Sequence, residues 1–529
     1  MNQPSDVKEI LYKVKYPLAA FTDQGAHTCQ FKLAPDFLNT GIEGISSSAV
    51  VNAYVPAIPP EQLGDSTFLR RHGLRYPYVA GAMANGITSS QMVIEMGRGG
   101  MIGFFGAGGL ALDVIEKNIL EIKNSLGSQP FGFNLIHSLD DPEHEMATVK
   151  LYLEHGVNRV SAAAFMRMTH ALVFYRVKGI YQNADGRIIV PNHVIAKVSR
   201  IEVARQFFSP PPEKIVNALF DQGLISEQEA RLSRHIPMAW DLTAEADSGG
   251  HTDNRPALTL LPTMRALKDE FEIRYNYGEP LCVGLGGGIA TPESTAAAFQ
   301  MGAAYVLTGS INQSCVEAGI SRGVKDLLAQ AQQADVTMAP SADMFEIGAK
   351  VQVLKRGTMF PVRAEKLYQI YRNYRRFEDV PADLKQQIED KFLQSGFEQK
   401  WEDTRRFFES RNQHKEIERA LSDPSHKMAL VFRSYLGLSS RWAIDGDPGR
   451  QMDYQIWCGP AIGAFNQWVK GTFLENQENR HVVEVGLNLL LGACVSIRQA
   501  FLRNQGVSVP DHQAGIVPLR LGEINTYIH

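Results

Sequence analysis

From Arg71 onward the chain alternates short apolar runs, glycine-rich turns and amphipathic segments. Runs of four to eight apolar residues bounded by turn signals read as buried strands. Eight such runs are predicted as strands: Pro77–Met83, Gly100–Phe105, Phe131–Leu135, Arg159–Ala163, Val194–Val198, Met238–Thr243, Leu281–Leu285 and Tyr305–Thr308. Helical patterns fill most of the gaps between them, and several carry their own punctuation. Ser89 and Ser90 cap a helix that Gly97, Gly99 and Gly100 end. Asp140-Asp141-Pro142 opens another, closed by Gly156. Thr291-Pro292-Glu293 supplies a cap, a first-turn proline and an acid near the positive helix end, and Gly302 closes that helix. Eight alternating units predict an α/β fold with parallel strands closed into a (β/α)8 TIM barrel. A doubly wound open sheet is the alternative that periodicity leaves standing.

The expected division is an N-terminal arm over 1–70, a barrel over 71–365 and a helical C-terminal region over 366–529. One gap in the barrel is too long for a single helix. Its proline-opened stretch, Pro210 to Arg234, reads as an inserted helical hairpin within about 205–236. The most apolar stretch, Val482 to Ile497, contains Glu484 and Asn488 and is expected to be a buried helix rather than a membrane span.

Composition narrows the class. Apolar residues are 44% of the 529, charged residues 21% and the formal net charge is −4, which argues against electrostatic binding to nucleic acid or an anionic membrane. The five cysteines, Cys29, Cys282, Cys315, Cys458 and Cys494, form no C-x-x-C pair. They suggest neither a disulfide framework nor a zinc site, and a cytoplasmic location is expected. The opening MNQPSDVKEI has no basic start or apolar run, so no secretory signal is expected.

The clearest chemical signal is VGLGGGIATPESTAAAFQMGAAYVLTGS, residues 283–310. Gly286, Gly287 and Gly288 leave room for a close ligand before a helix start, and Thr308, Gly309 and Ser310 form a second turn with two hydroxyls. Two adjacent turns after strands seven and eight are where this barrel class holds phosphate. Gly81, Ala82 and Met83 at the first strand would let backbone approach a flat ring. Asn134 shares a face with Gly132 at the end of the third strand, as a ligand contact or a turn cap. Lys197 at the end of the fifth strand would stabilise negative charge or simply pair with an acid. His251, on the Gly249-Gly250 loop after the sixth strand, can exchange a proton near neutral pH. The run Gly103–Gly109 departs from G-x-G-x-x-G spacing and is a weak dinucleotide signal. A basic stretch from Lys350 to Arg376 is a docking surface for an acidic partner or a solvated helix face.

Together these pieces resemble the nitronate monooxygenase and FMN-dependent enoyl reductase superfamily. The matches are Gly81 and Met83, Gly132 and Asn134, Gly249-Gly250-His251, Gly287-Gly288-Ile289, Gly302-Ala303 and Thr308-Gly309-Ser310. Longer segments, including GLGGGIATPES, TGSINQSCVEAGIS, DVTMAPSADMFEIGAK and SRWAIDGDPGRQMDYQIWCGPAIGAFNQWVKGTFL, resemble the PfaD type of trans-acting enoyl reductase. One departure is that the acid often found beside Gly-Gly-His is here Asp247-Ser248, with Glu245 two residues further back. The resemblance implies FMN, NADPH and enoyl thioesters carried on acyl carrier protein domains of a polyunsaturated fatty acid or polyketide synthase, reduced at the 2,3 double bond. It leaves a homodimer open. In that chemistry His251 polarises the thioester carbonyl or relays the proton, and Asn134 and Lys197 contact the flavin's polar edge. The competing classes are a nitronate-oxidising flavin enzyme, a non-redox phosphate-binding barrel and a non-catalytic scaffold subunit of a synthase.

Overall fold

The structure, a computed structural model, describes residues 7–22, 29–34, 49–138 and 141–529. Asp140 and parts of the N-terminal arm lie outside the described residues. The chain forms two compact units. The first comprises Met1–Ala246, Asn254–Ala318 and Gln467–His529, and the second Asp247–Asp253 and Gly319–Asn466.

The first unit is built on a closed barrel of eight parallel strands: β1 (Tyr78–Ala80), β2 (Ile102–Phe105), β3 (Gly132–Ile136), β4 (Arg159–Ala163), β5 (His193–Val198), β6 (Asp241–Glu245), β7 (Cys282–Gly286) and β8 (Val306–Thr308). Strand β8 closes on β1 with Val306 opposite Tyr78. All eight fall where the apolar runs predicted them, so the open sheet is excluded. The caps match as well. Ser89 accepts from the Met92 amide, Asp141 from His144, and Thr291 from Ser294, each with its side-chain oxygen. The inserted hairpin is present as helices Glu213–Asp221 and Glu227–Leu232, the second opened by a capping box from Ser226 to Glu229.

Other elements were not foreseen. The arm carries a three-stranded antiparallel sheet, with Leu18–Thr22 between Gln30–Leu33 and Val50–Val55. A two-residue ladder joins Tyr181–Gln182 to Ile188–Ile189. The helix Val482–Asn504 is long and apolar enough to cross a membrane, but most of it is buried within the protein. It packs against the helix Pro292–Gln300 and against the arm, where Arg498 donates to the Lys13 carbonyl at 2.9 Å.

The N-terminal ends of the strands close over a charged plug. Arg71 pairs with Asp241 at 2.6 Å, and His72 Nε2 lies 2.9 Å from the other carboxylate oxygen. Arg159 Nε donates to His72 Nδ1, so the ring proton sits on Nε2 and is donated to Asp241. Burial keeps His72 below its usual pKa, hence neutral. Burial would raise the Asp241 carboxyl, but Arg71 and His72 outweigh it and hold it at about 2. Both Arg71 and Arg176 lie over the Trp240 ring at 5.6 Å.

The second unit pairs Val336–Pro340 with Lys350–Leu354 and packs them on the helix Phe360–Asn373 and three further helices, Phe397–Ser410, His414–Ser422 and Pro424–Asp445. Val353, Phe360, Trp401, Phe432 and Tyr435 are among its buried core. These boundaries differ from the expected ones. Residues 319–365 join the helical unit, because Val351 and Val353 pack into its core, and residues 467–529 return to the barrel unit. Patterning identifies elements but not the core each one joins. Half of the eight basic residues in the stretch form ion pairs: Lys350 with Glu365, Arg356 with Asp335, Arg363 with Asp453 and Arg376 with Asp379.

Candidate active site

Strand alternation sorts the side chains at the barrel mouth. Val79, Ile102, Phe104, Ile195, Cys282 and Leu307 fill the barrel interior. Period two then places Gly81, Lys197, Gly286 and Gly309 on the same inner side at the C-terminal strand ends. Gly132 sits opposite Phe104, and a Cβ there would strike the Phe104 ring at 2.3 Å, so Gly132 and Asn134 face inward too.

The two phosphate-type turns are open. Gly287 and Gly288 have φ of 86° and 76°, which glycine adopts without strain. A Cβ added at Gly288 or Gly309 meets nothing within 4 Å. The amides of Gly287, Gly288 and Gly309 take no acceptor among the described residues. Space and donors thus coincide, as an anion cradle requires. The helix behind is less available than its sequence suggests, because Ser294 Oγ takes the amides of Ala290 and Thr291.

Thr308 ends the last barrel strand. Alternation turns its side chain outward, where the hydroxyl donates to Tyr78 at 2.8 Å and accepts from Asn312 at 3.0 Å. It braces the turn rather than offering a hydroxyl to a ligand. Ser310 begins the short helix that follows and is half-buried.

Around the rest of the mouth, backbone carries the architecture. Gly81 donates to the Thr308 carbonyl, joining the first turn to the last. The buried Thr88 hydroxyl closes the loop by donating to Gly81 and accepting from Met83 N. Ala82 and Met83 are half-buried on that loop. The discounted run Gly103–Gly109 forms the opposing loop. Gly86 donates to Gly106 and Asn85 to Gly108, both at 2.8 Å, and a Cβ on Gly106 would lie 1.8 Å from the Met83 carbonyl oxygen. Its glycines serve this loop-to-loop approach. Asn134 Oδ1 accepts from Gly108 N at 3.1 Å, which fixes the amide and leaves Nδ2 as the donor for a ligand. Lys197 pairs with Glu245 at 2.7 Å, the acid-paired alternative expected from sequence. Glu245 was not selected from sequence as a partner of Lys197, although it stands one residue beyond Ala244, the neighbour of Val198 in the strand register.

Gly249, Gly250 and His251 belong to the second unit. Gly250 exchanges both backbone hydrogen bonds with Gln352, whose buried amide also holds the Asp247 carboxylate and the Ser248 carbonyl at 2.8 Å. A Cβ on Gly249 would lie 2.6 Å from Cys458 Cα. His251 is exposed, with Nε2 3.0 Å from Asp343. A carboxylate on one ring nitrogen orients the imidazole and leaves the other for proton exchange. Neither Gln352 nor Asp343 was singled out from sequence: Gln352 lies in the stretch read for its basic charge, and Asp343 in a segment noted only for its resemblance.

Residues 66–368 match the nitronate monooxygenase family. The chain belongs to that family. Residues 374–454 match the inserted helical domain of [acyl-carrier-protein] S-malonyltransferase, which accounts for much of the second unit. The chain is 45% identical over 465 residues to the polyketide biosynthesis protein PksE of Bacillus subtilis (strain 168), covering 88% of this chain and 60% of that protein. It is 44% identical over 448 residues to one of the polyunsaturated fatty acid synthase subunits of Thraustochytrium sp., covering 84% of this chain and 30% of that protein. The chain therefore spans less than two thirds of these relatives. Among solved structures, the enoyl reductase domain of MlnA from the macrolactin biosynthesis cluster of Bacillus amyloliquefaciens is 39% identical, with a TM-score of 0.80 over 84% of this chain and all of that one.

Proposed function

We propose that the chain is an FMN-dependent enoyl reductase that acts in trans on enoyl thioesters of acyl carrier protein domains during polyunsaturated fatty acid or polyketide synthesis, using NADPH. The observation that carries this reading is the coincidence of an open phosphate cradle at β7 and β8 with similarity over the whole length of an enoyl reductase domain. Open space at Gly288 and Gly309 and the unused amides beside it fit a flavin phosphate. Gly286, Gly287, Gly288, Gly309 and Ser310 would hold it, with Gly81, Ala82 and Met83 beside the ring and Asn134 donating to its polar edge. A bound flavin supplies hydride chemistry.

The chain's own groups supply the rest. Lys197, tied to Glu245, presents its charge at a fixed place and keeps the mouth near neutrality. The Gln352-pinned loop and Asp343 fix the His251 ring, and the role assigned to His251 in this reading is to polarise the thioester carbonyl or pass a proton to the α-carbon. Synthase relatives support a carrier-protein partner, and cysteines held as thiols suit a reducing cytoplasm.

The family name supports a second reading, oxidation of nitronates with His251 as base. Steady-state assays of the purified chain with a crotonyl thioester plus NADPH, and with a nitroalkane, separate the two. Turnover of the thioester alone is expected. Turnover of the nitroalkane alone would overturn the enoyl reductase reading.

A further inference from the structure

The C-terminal segment 467–529 lies beyond both matched regions, yet it folds back onto the barrel unit. It meets the elements behind both open turns. Behind the first turn, Gly492 lies so close to the helix Pro292–Gln300 that a Cβ there would be 2.6 Å from Pro292 Cγ. Behind the second, Arg480 is fully buried and spans two chain segments. Its Nε donates to the Leu474 carbonyl at 2.8 Å, Nη2 to the Glu475 carbonyl at 3.2 Å and Nη1 to Ser314 Oγ at 3.1 Å. Its own carbonyl accepts from Val316 N at 2.9 Å. Ser314 Oγ passes the contact on to the Ile311 carbonyl, inside the short helix Ser310–Gln313. Asn312 in that helix holds both the carbonyl and the hydroxyl of Thr308. Two sets of hydrogen bonds, joined by the peptide link from Ile311 to Asn312, thus connect the C-terminal segment to the second turn. One residue beyond Val316, the Glu317 carboxylate accepts from Val482 N at 3.1 Å and fastens the start of the long helix to the same segment.

We propose that Arg480 is a positioning residue for the flavin-phosphate cradle, setting the Gly309–Ser310 turn through Ser314, with the long C-terminal helix as its rigid back. This rests on the flavin reading above. A guanidinium gripping two carbonyls and a hydroxyl in a fixed fork defines a location more closely than a single hydrogen bond. Its loss would let the turn drift away from the phosphate while leaving contacts to the flavin ring in place.

The test uses the full chain stripped of flavin. Dissociation constants for FMN and for riboflavin, which lacks the phosphate, are measured by flavin fluorescence for wild type, Arg480→Met, Ser314→Ala and Arg498→Met. Arg498 is an equally buried arginine on the long C-terminal helix that instead reaches the arm, so its variant controls for general loss of stability. Arg480→Met should weaken FMN about tenfold, the scale of one charged hydrogen bond, with riboflavin affinity unchanged. Ser314→Ala, the milder substitution, should move the FMN-to-riboflavin ratio in the same direction, and Arg498→Met should leave it alone. If wild type binds FMN and neither Arg480→Met nor Ser314→Ala changes the ratio, or Arg498→Met changes it equally, the positioning role is overturned alone. If wild type binds neither flavin, the flavin reading falls and this role with it.

Discussion

Replacing Asp241 with asparagine should cost stability without affecting the mouth of the barrel. The carboxylate is fully buried and lies 2.6 Å from Arg71, whose side chain is 3% exposed. Asparagine removes the charge that compensates Arg71 and leaves Glu279, 57% exposed, as its remaining acid. A carboxyl held at about 2 rather than 3.8 corresponds to about 2 kcal/mol of native-state stabilisation. Stranding the buried guanidinium raises the expected loss to about 3–5 kcal/mol. The sign of the pH dependence follows from the lowered carboxyl. Its contribution is fully present above the unfolded value and is lost as pH falls toward about 2, so the gap between wild type and variant should be constant at mildly acid to neutral pH and narrow below about pH 4. Urea titration followed by tryptophan fluorescence reads this, since Trp240 lies under both arginines. FMN affinity should be unchanged, because the plug closes the N-terminal ends of the strands and the cradle sits at the C-terminal ends. Equal urea midpoints at neutral pH would show that the Arg71–Asp241 pair does not stabilise the barrel. A stable variant that loses flavin would refute the separation of the two ends.

Three further outcomes are expected. Gly106→Ala places a Cβ against the Met83 carbonyl oxygen, so the two mouth loops must part; flavin content on purification should fall sharply while far-ultraviolet circular dichroism is retained. Gln352→Ala removes the side-chain hold on Asp247 and Ser248, and hydrogen exchange at the Gly250 amide should accelerate about tenfold, the effect of losing about one net hydrogen bond. His251→Ala should slow enoyl-thioester reduction about a hundredfold with flavin loading unchanged, and unchanged turnover would remove this residue from the chemistry.

The barrel was legible because each strand is a short apolar run between glycine turns, and each of several helices announces its own cap. The inner face of the mouth was legible through the same alternation, as Gly132 and Asn134 illustrate. At Thr308 the turn motif suggested a free hydroxyl, while strand period two turns that hydroxyl outward toward Tyr78. The Gly-Gly-His loop could be found but not placed, since the residue that pins it, Gln352, is distant in sequence and sits in a strand that stands out only for its neighbours' charge. The plug was invisible for the same reason: Arg71 and Asp241 meet only because the barrel closes. The arm's sheet escaped because its third strand opens on exposed Val50 and Val51, which blurs the alternation that marks a half-buried strand. The packing role of the glycines in Gly103–Gly109 was not legible, because it needs the opposite loop to be seen.

The most direct test of the flavin enoyl reductase reading is a visible spectrum of the purified chain under anaerobic conditions, taken before NADPH, after NADPH, and after a crotonyl thioester is added. An oxidised flavin band that NADPH bleaches and the enoyl thioester restores is expected. A flavin that NADPH bleaches but the thioester leaves reduced, or a colourless protein that takes up no FMN, would contradict that reading.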